Sequence, residues 1–162
     1  MNAQESSAIT ERLTTRRRDL PHWEMGGSTY FLTFRLHAPP GNLPVLTPME
    51  RDLVKQAIVS LHDRMWHVHL LTVMPDHVHI LATPLASSPG KWHQLATVLQ
   101  RVKGSTAYAI NTLRHRSGPF WQKETFDRIV RDQQEFDEKA MYILNNAVKV
   151  GIADDRWEYG GF

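Results

Sequence analysis

Apolar residues fall into two rhythms along this chain, one of period two and one close to 3.6. Ser28-Thr29-Tyr30-Phe31-Leu32-Thr33-Phe34-Arg35-Leu36 is rich in β-branched and aromatic side chains and predicts a first strand. Residues 66–73 and 77–83 predict two more. Only Met74-Pro75-Asp76 separates them, which predicts an antiparallel hairpin. Residues 124–130 predict a fourth strand. Helical spacing fills the gaps: Leu53, Ala57, Ile58, Leu61 and Met65, then Trp92, Leu95, Ala96, Leu99 and Val102, then Phe136, Ala140, Ile143 and Ala147.

Boundary residues fit these elements. Thr47-Pro48 with Glu50 forms a capping box with proline in the first turn. Ser88-Pro89 predicts the start of the second helix, and Asp132-x-x-Glu135 is another capping box, opening a third helix that runs to about Lys149 and stops before Gly151. Pro39-Pro40-Gly41 with Pro44, and Ser117-Gly118-Pro119, are breaks. The order strand, helix, strand, strand, helix, strand, helix predicts an α+β fold. It is a ferredoxin-like four-stranded antiparallel sheet with crossover helices plus a C-terminal helix that bears a tyrosine. Residues 21–162 form one domain in this reading, and residues 1–20 form a basic N-terminal arm carrying Arg16, Arg17 and Arg18.

Composition narrows the chemistry. With no cysteine among 162 residues, disulfides, thiolate metal sites and cysteine nucleophiles are excluded. No apolar run approaches a membrane span, and the polar start is not a signal peptide, so a cytoplasmic protein is expected. The net charge of +2 hides an asymmetry: residues 77–123 hold no Asp or Glu, yet contain Lys91, Arg101, Lys103, Arg114, Arg116 and Lys123. A one-signed segment of this kind suits either a solvated helix or a surface that meets a polyanion.

Candidate chemistry centres on His77-Val78-His79. Alternate strand positions share a face, so the two imidazoles stand about 6.6 Å apart along the chain, where both can reach one metal ion. His67-Val68-His69 repeats the pattern on the preceding strand. If His77 pairs with Val73, the two histidine pairs fall on one sheet face but at opposite ends of the hairpin, which disfavours a shared ion. On the last helix, Glu138, Tyr142, Asn146 and Lys149 line a face separate from the apolar stripe.

Met74-Pro75-Asp76-His77-Val78-His79-Ile80-Leu81 resembles the histidine–hydrophobic–histidine motif of the HUH single-strand DNA endonucleases. Residues 121–132, beginning Trp121-Gln122-Lys123, are similar to the segment that leads into their tyrosine helix. Tyr142-Ile143-Leu144-Asn145-Asn146-Ala147-Val148-Lys149 resembles the tyrosine motif of the REP-associated tyrosine transposases, with Ala147 standing where those usually have proline. The motifs occur in the family's order and cover much of residues 28–157.

The resemblance implies that His77, His79 and Asn146 hold one divalent ion, Mg²⁺ or Mn²⁺. It also implies that Tyr142 attacks a phosphodiester to form a 5′-phosphotyrosine link. The substrate it implies is single-stranded DNA, in the form of hairpins of repetitive palindromes, acted on by a monomer or a homodimer. Arg101, Lys103, Arg128, Arg131, Lys149 and Arg16 to Arg18 are then candidate DNA contacts, and Lys149 a candidate to stabilise the phenolate. Trp121 and Phe120 are candidates for base stacking, with core packing as the competing fate.

Two other readings compete with this one. A non-catalytic single-stranded nucleic-acid-binding module of the same fold needs aromatic pairs on the central strands. A small zinc hydrolase needs an acidic base, and strand alternation points Asp76, the nearest acid, away from the histidines.

Overall fold

A computed structural model describes residues 13–16, 22–38, 45–152 and 157–158. Strands β1 (Leu13–Arg16) and β2 (His22–Met25) pair as an antiparallel hairpin, so part of the segment read as an arm is paired. Tyr30 ties that hairpin to the body, its hydroxyl accepting from the Met25 amide and donating to the Met25 carbonyl.

The central sheet contains β3 (Tyr30–Arg35), β4 (Trp66–Val73), β5 (His77–Pro84) and β8 (Phe126–Ile129) in the order β8-β3-β5-β4, every pair antiparallel. A two-residue strand, β9 (Trp157–Glu158), extends the β4 edge. With β3, β4, β5 and β8 counted one to four, the spatial order is that of a ferredoxin-like sheet, as the sequence rhythm predicts. Among the described residues, no helix is long and apolar enough to cross a membrane.

Each sheet face has its own cover. Tyr30, Leu32, Phe34, Val78, Ile80 and Ala82 point to one side, where α1 (Pro48–Val59) and α2 (Leu95–Leu113) close the larger core. Phe31, Leu70 and Leu81 point to the other, where Ala140 and Ile143 of α3 (Gln133–Lys149) pack on them. The histidine–tyrosine chemistry lies on this second, single-helix face.

Three local expectations need correction. The second helix begins at Leu95, not near Ser88. Pro89-Gly90 instead turns a small hairpin between β6 (Ala86–Ser88) and β7 (Lys91–Trp92), with Gly90 at φ 72°. Turn chemistry wins there over helical spacing. Trp92 therefore lies outside the helix and sits against Gly26, where an added Cβ would fall 2.3 Å from a Trp92 ring carbon. The hairpin register also differs: Val73 faces Val78 and Thr72 faces His79, and a bulge between Val68 and Leu70 restores the His67–Thr83 pairing. Third, Asp132 caps α3 by accepting from the Glu135 amide, but Glu135 accepts from the Arg131 amide, so the box is not reciprocal.

Candidate metal and nucleophile site

The turn that presents His77 is pinned from both sides. The Met74 amide donates to the His77 carbonyl at 2.8 Å, and the Leu36 amide donates to the Asp76 carbonyl at 3.0 Å. From this turn β5 begins, and alternation sends His77 and His79 to the α3 face. Their Nε2 atoms stand 3.0 Å apart, and their ring centroids 4.6 Å apart.

The outer nitrogens of both rings are held. His77 Nδ1 lies 2.6 Å from Asp76 Oδ1, and His79 Nδ1 lies 2.8 Å from Thr33 Oγ1. A carboxylate only accepts, so His77 Nδ1 carries the proton. Asp76 thus turns back onto its neighbour's ring, contrary to the alternation argument. Its second oxygen is 4.0 Å from Arg35, which faces His77 across the β3–β5 pairing.

Burial above all, and then the adjacent His77, pushes His79 down to about 3, so this ring is neutral at physiological pH. Two Nε2 lone pairs at 3.0 Å repel unless a proton or a cation lies between them. In an octahedral complex with metal–ligand distances of about 2.1 Å, adjacent donors stand about 3.0 Å apart. The donor set therefore fits a divalent ion.

Tyr142 arrives from α3. Its ring meets His79 edge-on at 5.3 Å and Phe31 at 5.9 Å, while Phe31 stacks on His79 at 5.7 Å. Three rings therefore form one triangle, with Tyr142 still 50% exposed. Asn146, one turn on, donates from Nδ2 to the Tyr142 carbonyl at 2.8 Å, which leaves Oδ1 as its ligand atom. Since α3 passes Phe136 over His69 and then Tyr142 over His79, it runs antiparallel to β5. The step from Tyr142 to Asn146, about 6 Å, keeps pace with the step from His79 to His77.

The second histidine pair has another fate. His69 bonds Thr83 through Nε2 at 2.8 Å and packs under Phe136. Thr83 is about 13 Å along β5 from His79. His62, Asp63 and His67 bring ligand-type atoms within 4.8 Å of one another. Their hydrogen bonds oppose a metal role: His62 Nδ1 accepts from the Val68 amide at 3.0 Å, which puts the proton on Nε2, the atom that would have to ligate. His67 Nδ1 faces Asp63 at 2.8 Å. This group closes the turn into β4.

Most candidate DNA contacts are not gathered at the site. Arg101 is exposed on α2, on the opposite side of the sheet from Tyr142. Lys103 sends its ammonium to the carbonyls of Gln122 and Lys123 and to Thr125 Oγ1, stapling the loop before β8. Arg128 and Arg131 both bind Glu135; the Arg131 amide first, then the Arg131 and Arg128 guanidiniums, pull its carboxyl down to about 2. Lys149 is exposed in the last turn of α3, two turns past Tyr142. Trp121 and Phe120 are 7% and 3% exposed, so they are core residues and not stacking platforms. Arg16 ends β1, and Arg17 and Arg18 lie outside the described residues.

Sequence reasoning missed Phe31, Thr33, Arg35 and Lys139. The first three alternate on β3, where Thr33 and Arg35 face His79 and His77 and Phe31 faces Leu81 beside them, a signal visible once β3 and β5 are known to be neighbours. The Lys139 ammonium lies 5.2 Å from the centre of the Phe31 ring, beside the ring triangle.

No protein-family model and no curated sequence matches the chain. Among solved structures, it is similar to a REP-associated tyrosine transposase bound to a REP hairpin. The match has a TM-score of 0.65 at 19% identity and covers 84% of this chain and 76% of that one. A protein from Deinococcus radiodurans R1, provisionally assigned as a transposase, matches at TM-score 0.50 and 18% identity, over 82% of this chain and 97% of its own. The chain therefore has the fold of the REP-associated tyrosine transposase.

Proposed function

We propose that this chain is a metal-dependent single-stranded DNA endonuclease and strand transferase with Tyr142 as nucleophile. One observation carries the reading: an exposed tyrosine on a helix packs against the inner histidine of a pair whose Nε2 atoms converge at 3.0 Å. A structural tyrosine needs no such neighbour. Nor does a structural histidine pair need both outer nitrogens anchored.

His77, His79 and, through Oδ1, Asn146 would hold one Mg²⁺ or Mn²⁺ ion. When bound, that ion offsets phosphate charge and polarises the phosphorus. The chain's own groups do the rest. The Tyr142 oxygen, having given its proton to solvent, attacks the scissile phosphorus while the bond to the 3′ oxygen breaks. The products are a 5′-phosphotyrosine and a 3′ hydroxyl that has taken up a proton. Reversing the step with another 3′ hydroxyl rejoins DNA, so bond energy is retained for strand transfer. Phe31 and His79 fix the tyrosine ring, which limits its oxygen to one approach. The fold shared with a hairpin-bound transposase supports hairpin-bearing single strands as the substrate.

The test is incubation of end-labelled single strands, with and without a hairpin, in Mn²⁺ or Mg²⁺, followed by a denaturing gel. The reading expects a protein–DNA adduct that is lost in Tyr142→Phe while DNA binding persists. An adduct that survives that substitution overturns the assignment of the nucleophile.

A further inference from the structure

Phe126 presents an exposed ring on the face that carries Tyr142. It is 58% exposed, on the outer strand β8, and faces Thr33 in the β3–β8 pairing. Thr33 in turn faces His79. Phe126, Thr33 and His79 therefore form one row across three strands, and with strands about 4.8 Å apart the row spans about 10 Å. The edge of the Phe126 ring meets Phe31 at 6.2 Å, and Phe31 also touches Tyr142. Single exposed apolar side chains are common and need no explanation. This one is unusual in its place: an outer strand is ordinarily protected by charge or proline, and a flat aromatic there invites association.

Resting on the DNA reading above, we propose that Phe126 stacks on an unpaired nucleobase of the strand whose phosphate meets Tyr142. Cations border the row although each has a carboxylate near it: Arg35, half exposed, lies 4.0 Å from Asp76 at one side, and Arg128, next on the same face of β8, shares the single Glu135 carboxylate with Arg131, which leaves that pair of guanidiniums in excess by one charge. A base has an apolar face for the ring and an attached phosphate for the cations. Trp121 and Phe120, the aromatics that sequence favours, are buried and cannot do this. Stacking on one ring is tolerant of base identity, so the site holds the strand without reading it.

The experiment compares anisotropy of labelled oligothymidylate with that of an abasic deoxyribose-phosphate oligomer of equal length. It is run in a Tyr142→Phe background so that no chemistry intervenes. With Phe126 present, the base-bearing strand should bind about tenfold more tightly than the abasic one. Phe126→Ala should remove most of that preference, leave abasic binding and the salt slope unchanged, and melt at a similar temperature. Phe126→Trp should restore the preference, and it guards against a folding defect in the alanine variant. Equal base preference in Phe126→Ala overturns the stacking role, as does a loss shared equally by both oligomers. So does a change in oligomeric state, which would make Phe126 a contact between copies. Failure of the unaltered chain to bind either oligomer overturns the DNA reading itself.

Discussion

Thr33 Oγ1 and His79 Nδ1 lie 2.8 Å apart across neighbouring strands, so a residue of β3 fixes the orientation of a ring on β5. Asp76 performs the same task for His77 within the hairpin turn, at 2.6 Å. Together they aim the two Nε2 atoms at one point. The imidazoles would otherwise be free to flip or exchange tautomers.

These two anchors yield the first prediction. Asp76→Ala and Thr33→Val should each weaken Mn²⁺ binding by about 10- to 100-fold, as losses of outer-sphere partners do. Asp76→Asn keeps an accepting oxygen and should lose less, and Thr33→Ser should restore affinity. Titration followed by the electron paramagnetic resonance of unbound Mn²⁺ reads this without any DNA. Unchanged affinity in both Asp76→Ala and Thr33→Val would mean that the anchors do not position the ligands.

A second prediction separates the two H-x-H patterns. His67→Ala should leave Mn²⁺ affinity and adduct formation unaltered, because its Nδ1 partner is Asp63 and its neighbours close a turn. His79→Ala should abolish both. His69→Ala should preserve metal binding yet lower stability, since it removes a half-buried ring from beneath Phe136. Loss of the adduct in His67→Ala would relocate the metal site to the His62 turn.

What the sequence revealed, and what it hid, follows from the range of each interaction. Thr47 and Glu50 form the reciprocal cap they spell out, because a capping box closes within four residues. The His77–His79 face was legible because alternation is local. The β4–β5 register was not: it depends on the turn at Met74 and on a bulge at His69, and one residue of slip changes every partner. Thr33 and Phe31 were invisible as site residues until β3 and β5 were known to lie side by side. The second helix was misread at its start because Trp92 fits the helical spacing while its ring packs against Gly26 instead.

A third prediction concerns the cation beside the nucleophile. Lys149 shares a helix face with Tyr142 in sequence, but the structure brings Lys139 against the Phe31 ring on which Tyr142 packs. Lys139→Gln should slow adduct formation by about tenfold or more, in line with losing one fixed charge near a developing anion. Lys149→Gln should change it less. Single-turnover rates at saturating DNA distinguish this from weakened binding, which both variants share to a small degree. A larger effect at Lys149 would return the role to the last turn.

The last prediction tests the larger core through the bidentate ion pair between Arg114 and Glu50. Arg114, at the end of α2, donates through Nε and one terminal nitrogen to both Glu50 oxygens at 2.6 Å, joining it to the start of α1. The Arg114 contact lowers the Glu50 pKa below its ordinary 4.5, outweighing the opposite effect of burial. Because the folded value is depressed, the unfolded chain takes up the proton first as pH falls. The stabilisation is thus complete at neutral pH and declines as pH drops below about 4.5 toward the folded value. Glu50→Gln leaves Arg114 without its carboxylate and should cost about 3 kcal/mol at pH 7, or about 10 °C in Tm. Thermal melts of the two proteins should converge as the buffer is taken below pH 4. A gap that persists unchanged into acid would show that the loss in Glu50→Gln comes from placing an amide group against Arg114 and not from removing the carboxylate charge, since glutamine can still accept from the Thr47 amide.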